Sequence, residues 1–358
     1  MSASAGIHHV TAVCRDPKQN VVFYTRSLGL RMVKKTVNFD DPATWHLYYG
    51  DETGRPGTAL TFFAWEGRPP GRNGNGMVVE TAFIVPRDSL GYWRQRLSEQ
   101  GIAHDAPQTR FGESVLAFHD PDGMRLALVA IEDADQIPGW SNADVPAEHA
   151  VRGFHGVTLM VGAGAPTARV LTDTFGFKAH GREGGLERYR AGGDLGTVVD
   201  VRTAPAVPAG QQGAGSVHHV AFRAADDAAQ AEMVGALKAQ GLHPTEQINR
   251  CYFRSVYFRE PGGVLFEIAT DDPGFTVDEP KETLGNAIKL PPWYEPRRAE
   301  ILAALPPLRR SPARQSAAGA ATKPQNSFLR AGCAVYSFSG RTVTQQLSLR
   351  TGMQSKRS

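Results

Sequence analysis

Two short stretches place histidines side by side, "GIHHVTAV" at 6–13 and "SVHHVAF" at 216–222. Each reads as a β-strand, on which neighbouring side chains point to opposite faces, so one histidine of each pair can look into a given cavity. Val10 and Ala12 share a face with His8, and Val220 and Phe222 share one with His218. Those apolar faces are expected to pack on helices, which leaves His9 and His219 facing the other way. Glu267 sits between Phe266 and Ile268 in an otherwise buried run. An isolated ionised carboxylate there is costly, so it needs a cation or a proton. Two imidazoles and one carboxylate leave open positions on a divalent metal, a donor set suited to non-haem Fe(II) and oxygen chemistry, with Mn(II) and Zn(II) also compatible. The competing reading is an ion pair from Glu267 to Arg254 or Arg259, with each strand histidine merely structural.

The elements that must position these residues come from a repeat. Four stretches open with an alternating strand, "IHHVTAV" (7–13), "VVETAFIV" (78–85), "FHGVTLMV" (154–161) and "VHHVAFRA" (217–224), and each is followed by an amphipathic helical pattern. The starts lie roughly 65 to 75 residues apart, one small supersecondary unit each. Each unit closes on a further strand, "TALTFFAW" (58–65), "MRLALVAI" (124–131), "GTVVDVRT" (196–203) and "GVLFEIAT" (263–270), and "DPDG" and "EPGG" turns precede two of these. The unit is βαβββ, four times over. One unit cannot cover both faces of its own sheet, so the expected fold class is α+β, with units pairing into two cupped, barrel-like sheets and helices outside. The expected divisions are an N-terminal domain at 1–133, a linker at 134–152, a C-terminal domain at 153–275, an extension at 276–310 and a disordered tail at 311–358 containing Cys333.

Superposing the closing strands on their glycine turns sets Glu267 against Phe62 in unit one, Ala127 in unit two and Asp200 in unit three. In unit three the histidine position is Gly156, so that half-site is expected to hold no metal. A single metal shared by His9, His219 and Glu267 requires the first and fourth units to pair in space.

Composition narrows the classes. The chain has 358 residues, a net charge of +3, 41% hydrophobic residues and three widely spaced cysteines. That describes an ordinary globular protein with no nucleic-acid or membrane partner and no disulfide framework. No basic-then-apolar leader opens it, and no apolar run approaches ~20 residues. A cytoplasmic protein is expected, with a homo-oligomer compatible.

With "HHV" opening the first and fourth units and "PGGVLFEIAT" closing the fourth, the chain resembles the vicinal-oxygen-chelate superfamily, which unites glyoxalases, bleomycin-resistance proteins and extradiol dioxygenases. "WHLYYGDETGRPGT" (45–58), "TRFGES" (109–114), "VPAEHAVRGFHGV" (145–157), "NRCYFRSVYFREPGG" (249–263) and "LGNAIKLPPWYE" (284–295) narrow the resemblance to ring-cleaving dioxygenases of the hydroquinone 1,2-dioxygenase and MhqO-like type. The resemblance implies an Fe(II) enzyme that takes a small aromatic substrate and O2, with His9, His219 and Glu267 as metal ligands. It further implies catalytic roles for His218, Tyr257 and Arg250 and substrate contacts for His8 and Thr11. Thr11 shares the His9 face, whereas His8 and His218 reach the site only through a strand bulge or an indirect role. A glyoxalase-type isomerase, which uses a metal and a base without O2, and a metal-free sequestering protein are the alternatives on the same architecture.

Overall fold

The structure, a computed structural model, describes residues 3–142 and 144–308. Unit one supplies β1 (Ile7–Cys14), α1 (Pro17–Val22), β2 (Arg31–Asn38), β3 (Asp41–Gly50) and β4 (Ala59–Ala64). Unit two supplies β5 (Met77–Pro86), α2 (Leu90–Glu99), β6 (Gln108–Arg110), β7 (Glu113–His119) and β8 (Arg125–Ile131). Unit three supplies β9 (Gly153–Val161), α3 (Gly164–Arg169), β10 (Lys178–Glu183), β11 (Leu186–Arg190) and β12 (Val198–Thr203), and unit four β13 (Ser216–Ala224), α4 (Asp227–Ala239), β14 (Ile248–Asn249), β15 (Arg254–Arg259) and β16 (Leu265–Thr270). Every unit is thus βαβββ, and α5 (Arg298–Ala304) belongs to the extension.

Local chemistry explains the boundaries. Asp16 and Asp226 cap α1 and α4 by accepting backbone N–H groups of the first turn, and Pro17 occupies the position where a missing N–H costs nothing. The "DPDG" and "EPGG" hairpins are built alike. Asp120 and Glu260 each accept the backbone N–H four residues on, from Met124 and Val264, while Gly123 and Gly263 take the positive φ the turn demands.

Two eight-stranded sheets result, in the orders β14-β15-β16-β13-β1-β4-β3-β2 and β10-β11-β12-β9-β5-β8-β7-β6. The first joins units one and four through the antiparallel β1/β13 pair, and the second joins units two and three through β5/β9. Each sheet therefore takes one unit from each half of the sequence, and the divisions at 1–133 and 153–275 do not coincide with the two sheets. Outer faces bury against helical segments: Phe222 stacks on Phe175 at 4.4 Å, and Phe62 lies 4.7 Å from Tyr24. Each such fully buried ring contributes about 1.5–3 kcal/mol over exposure.

Among the described residues, the segment 134–152 has two short 3-10 turns, Glu132–Gln136, which overlaps its start, and Ala147–His149. The extension wraps the β2/β3 edge, where Trp45 donates to the Pro306 carbonyl and Tyr294 to the Phe39 carbonyl. No described helix is long and apolar enough to cross a membrane. The tail from 311 on, with Cys333, lies outside the described residues.

Candidate metal centre

The inner face of the first sheet is read by rows of paired residues. One row runs Tyr257, Glu267, Ala221, His9 and Ala59 across β15, β16, β13, β1 and β4. The next runs His219, Thr11, Thr61 and Tyr48 across β13, β1, β4 and β3. Paired residues share a face, so Glu267, His9 and His219 come together although more than two hundred residues separate His9 from the other two. Ala59 and Ala221 flank His9, and the Phe253 ring packs 4.8 Å from it.

Three atoms meet. His9 Nε2 and His219 Nε2 stand 3.3 and 2.9 Å from Glu267 Oε2, and 3.4 Å from each other. Metal bonds of about 2.0–2.2 Å at right angles would place donor atoms about 3 Å apart, so the triangle fits one face of an octahedral divalent ion. All three residues are buried, and Glu267 Oε2 accepts no hydrogen bond, while Oε1 takes the Ser255 hydroxyl at 2.5 Å. An orphaned carboxylate oxygen facing two imidazole nitrogens is a fit for a cation. Burial alone would raise the Glu267 pKa, but His9 and His219 hold it well below the usual carboxylate range. Neither arginine weighed as a partner reaches it: Arg254 pairs with Asp227 and Arg259 bonds the Gly263 carbonyl.

His8 and His218 reach the centre through bulges. Between Ile7 and His9 the β1 strand advances two residues against one on β13, and between His219 and Val217 β13 advances two against one on β1. The extra residues are His8 and His218. Their Nδ1 atoms lie 2.9 Å from His9 Nδ1 and 2.8 Å from His219 Nδ1, in matching edge-to-face pairs. Burial and the adjacent His219 push the His218 pKa down to about 3, and burial with His9 lowers that of His8. Neutral rings so placed can accept the Nδ1–H of each inner histidine, freeing its Nε2 lone pair for a metal.

Around the centre, Tyr257 lies 5.6 Å from the His219 ring, and Arg250 donates to its hydroxyl at 3.3 Å while pairing with Asp40. Burial and the charge on Glu267 keep the Tyr257 hydroxyl above its ordinary pKa. Partly exposed Phe63, Trp65 and His46 join His218 on the open side, and buried Phe253 closes against His8 and His9. Sequence reasoning passed over Ser255, His46, Tyr48, Thr61 and Phe253. Alternation on "ALTFFA" would have flagged Thr61, since it faces the same way as Ala59; the others carry no signal of their own.

One alignment needs correction. Ala221 lies two residues past His219 and pairs with Glu267, as Thr11 lies two past His9 and pairs with Thr61. The unit-one counterpart of Glu267 is therefore Thr61, and Phe62 points to the opposite face, into the core against Tyr24. The glycine-turn superposition slipped by one residue because the β3–β4 connection is built differently from the "EPGG" hairpin.

The second sheet's cup is filled. Glu80, Gly156 and Ala127 stand at the places of His219, His9 and Glu267, and the Arg188 guanidinium forks onto Asp200 at 2.8 and 2.9 Å while also meeting Glu113. Further ion pairs join Glu113 to His155 and Arg190, and Glu80 to Arg110 and Arg125.

Comparison with known proteins places this geometry. The chain is 44% identical over 296 residues to the Bacillus subtilis protein named "Putative ring-cleaving dioxygenase MhqO", covering 83% of this chain and 94% of that one. It is 33% identical over 304 residues to the chlorohydroquinone/hydroquinone 1,2-dioxygenase of Sphingobium indicum, covering 83% and 94%. A crystal structure of a Bacillus subtilis protein named "putative dioxygenase" superposes with a TM-score of 0.83 at 42% identity, covering 86% of this chain and 99% of that one. Residues 6–128 and 153–268 match the family described as the Glyoxalase/Bleomycin resistance protein/Dioxygenase superfamily, and the chain belongs to that superfamily.

Proposed function

We propose that the chain is a ring-cleaving dioxygenase that holds Fe(II) on His9, His219 and Glu267, takes a hydroquinone-type or catechol-type substrate and opens its ring with O2. The observation that carries this reading is the triangle of two imidazole nitrogens and one unpartnered carboxylate oxygen in a buried cup whose flanking residues are alanines. The names of the relatives, a ring-cleaving and a hydroquinone dioxygenase, support it. When bound, Fe(II) supplies sites at which a phenolate and O2 can sit side by side, which removes much of the entropic cost of bringing them together.

The protein's own groups take the remaining roles. His8 and His218 fix the tautomers of the inner histidines, and His8 and Thr11 border the substrate. Tyr257 stays protonated and offers a hydroxyl beside Glu267, while Arg250, bonded to that hydroxyl, supplies positive charge for an oxygen that becomes negative. A four-ligand isomerase site is disfavoured because Thr61, not a carboxylate, stands where the second carboxylate would be.

The test is oxygen uptake by protein reconstituted anaerobically with Fe(II) and given methylhydroquinone. The expected result is uptake that needs the metal. Absence of uptake, with conversion of a hemithioacetal instead, would assign the isomerase reading.

A further inference from the structure

The bulges that carry His8 and His218 are each held by a donor from outside their strand pair. The His8 carbonyl accepts the Gly57 N–H at 2.9 Å, and the His218 carbonyl accepts the side-chain amide of exposed Gln212 at 3.0 Å. Both bonds have a fixed direction, since a carbonyl can only accept. His8 Nε2 has no hydrogen-bond partner, so beyond its contact with His9 that ring is aimed by its own backbone and by the Phe253 ring at 5.1 Å. Whatever holds the bulge therefore aims the histidine.

Gly57 is itself braced from the second sheet. Its carbonyl accepts the Phe154 N–H at 2.8 Å, the Phe154 carbonyl accepts the Gly196 N–H at 2.6 Å, and the Gly196 carbonyl accepts the Ile7 N–H at 2.9 Å. The four bonds form a ring that closes along β1 from Ile7 to His8 and joins that strand to β9. Gly57 and Gly196 hold matching places, each just before the closing strand of its unit. Both have positive φ, 92° and 61°, and a Cβ on either would stand 2.7 or 2.8 Å from the Cβ of Leu195 or Ile7. The match breaks at one bond. Gly57 reaches the carbonyl of the bulge residue His8, whereas Gly196 reaches that of Phe154, one residue before the corresponding bulge residue His155.

We propose that Gly57 and Gln212 are positioning residues of the metal centre: each holds the carbonyl of a bulge residue and so keeps an outer histidine against its inner partner. The second sheet serves the site by bracing Gly57 through Phe154 and Gly196. The inference rests on the reading of His9, His219 and Glu267 as metal ligands.

The readout is Co(II) affinity, measured under argon by competition with a chromophoric chelator. Gly57→Ala, Gln212→Met and replacement of Phe154 by phenyllactate, which exchanges its N–H for an ester oxygen and keeps the ring, should each weaken binding about 2–10-fold, the worth of one hydrogen bond. The ester adds no Cβ, so it serves where Gly57→Ala does not fold. Double variants decide the matter. Gly57→Ala or the ester should cost little more once His8→Phe is present and its full amount beside His218→Phe, and Gln212→Met should show the opposite preference. A general loosening of the fold would not tell the two histidines apart. Unchanged affinity in Gln212→Met or in the ester, or losses that add fully with both histidine variants, would overturn the proposal. If the wild-type protein takes up no Co(II), the metal centre falls and this inference with it. The expected pattern in a protein that consumes no oxygen would overturn the proposed function alone, and absent or additive losses in one that cleaves rings would overturn the bracing alone.

Discussion

Each inner histidine carries its own orienting partner, and that partner is its neighbour in sequence. In the proposed site His8 and His218 accept where a carboxylate or carbonyl commonly does, so that the Nε2 of each inner histidine is left free for a metal. His8→Phe and His218→Phe should therefore weaken metal binding by about 10–100-fold, the usual cost of an outer partner, with the fold unchanged. His9→Ala, His219→Ala and Glu267→Ala should exceed that loss. Metal content after dialysis against a graded chelator separates the two groups, and equal retention in all five variants would contradict the assignment of ligands.

At the scale of elements, strand bulges explain both what was legible and what was not. Period-two alternation identifies His9, His219 and Thr11, because those residues sit where an ideal strand would put them. It sends His8 and His218 to the wrong side, since each is the extra residue of a bulge, and a bulge has no signature in "IHHV" or "VHHV". Thr61 was displaced by one position for a related reason, a turn used as an anchor where only strand register is reliable. His46 gains meaning from a partner across a strand pair. In the second sheet the same cup holds an ion-pair network, and its Glu113 shows what that network contributes. Burial would raise its pKa, yet His155 and Arg188 hold it down, from the ordinary 4.5 to about 2. A carboxylate depressed on folding adds stability that is complete above its ordinary value and is lost as pH falls toward the folded value. Glu113→Gln should thus cost ~3 kcal/mol at neutral pH and flatten the loss of stability between about pH 4.5 and 2. Urea unfolding at a series of pH values measures this, and an unchanged slope would mean the network is not coupled to folding.

At the scale of the molecule, the four repeats are paired first with fourth and second with third, and the extension finishes the first pair. Lys34 on β2 is fully buried and bonds Asp278 at 2.6 Å and Glu279 at 2.9 Å, while Tyr252 also donates to Asp278. Phe275, just before these acids, packs on Tyr48 and Tyr252. The extension is thereby tied to β2 through Lys34, and the residue just before it to the rings of Tyr48 and Tyr252. A separation of 244 residues between Lys34 and Asp278 hides this contact from any local pattern. Lys34→Met should destabilise the protein by about 3–5 kcal/mol, because it leaves Glu279 buried without its cation. Chemical denaturation monitors that loss; a stable variant would show that the extension is held by its backbone contacts alone. The central claim, that the first and fourth repeats assemble one metal site for oxygen chemistry on an aromatic ring, is met most directly by a mass balance. Fe(II)-loaded protein is given methylhydroquinone in a closed cell, and O2 consumed is compared with ring-opened product. The account predicts one O2 consumed per ring opened, a product whose mass is the substrate plus both oxygen atoms, and no turnover in Glu267→Ala; quinone as product, or an intact ring, would contradict it.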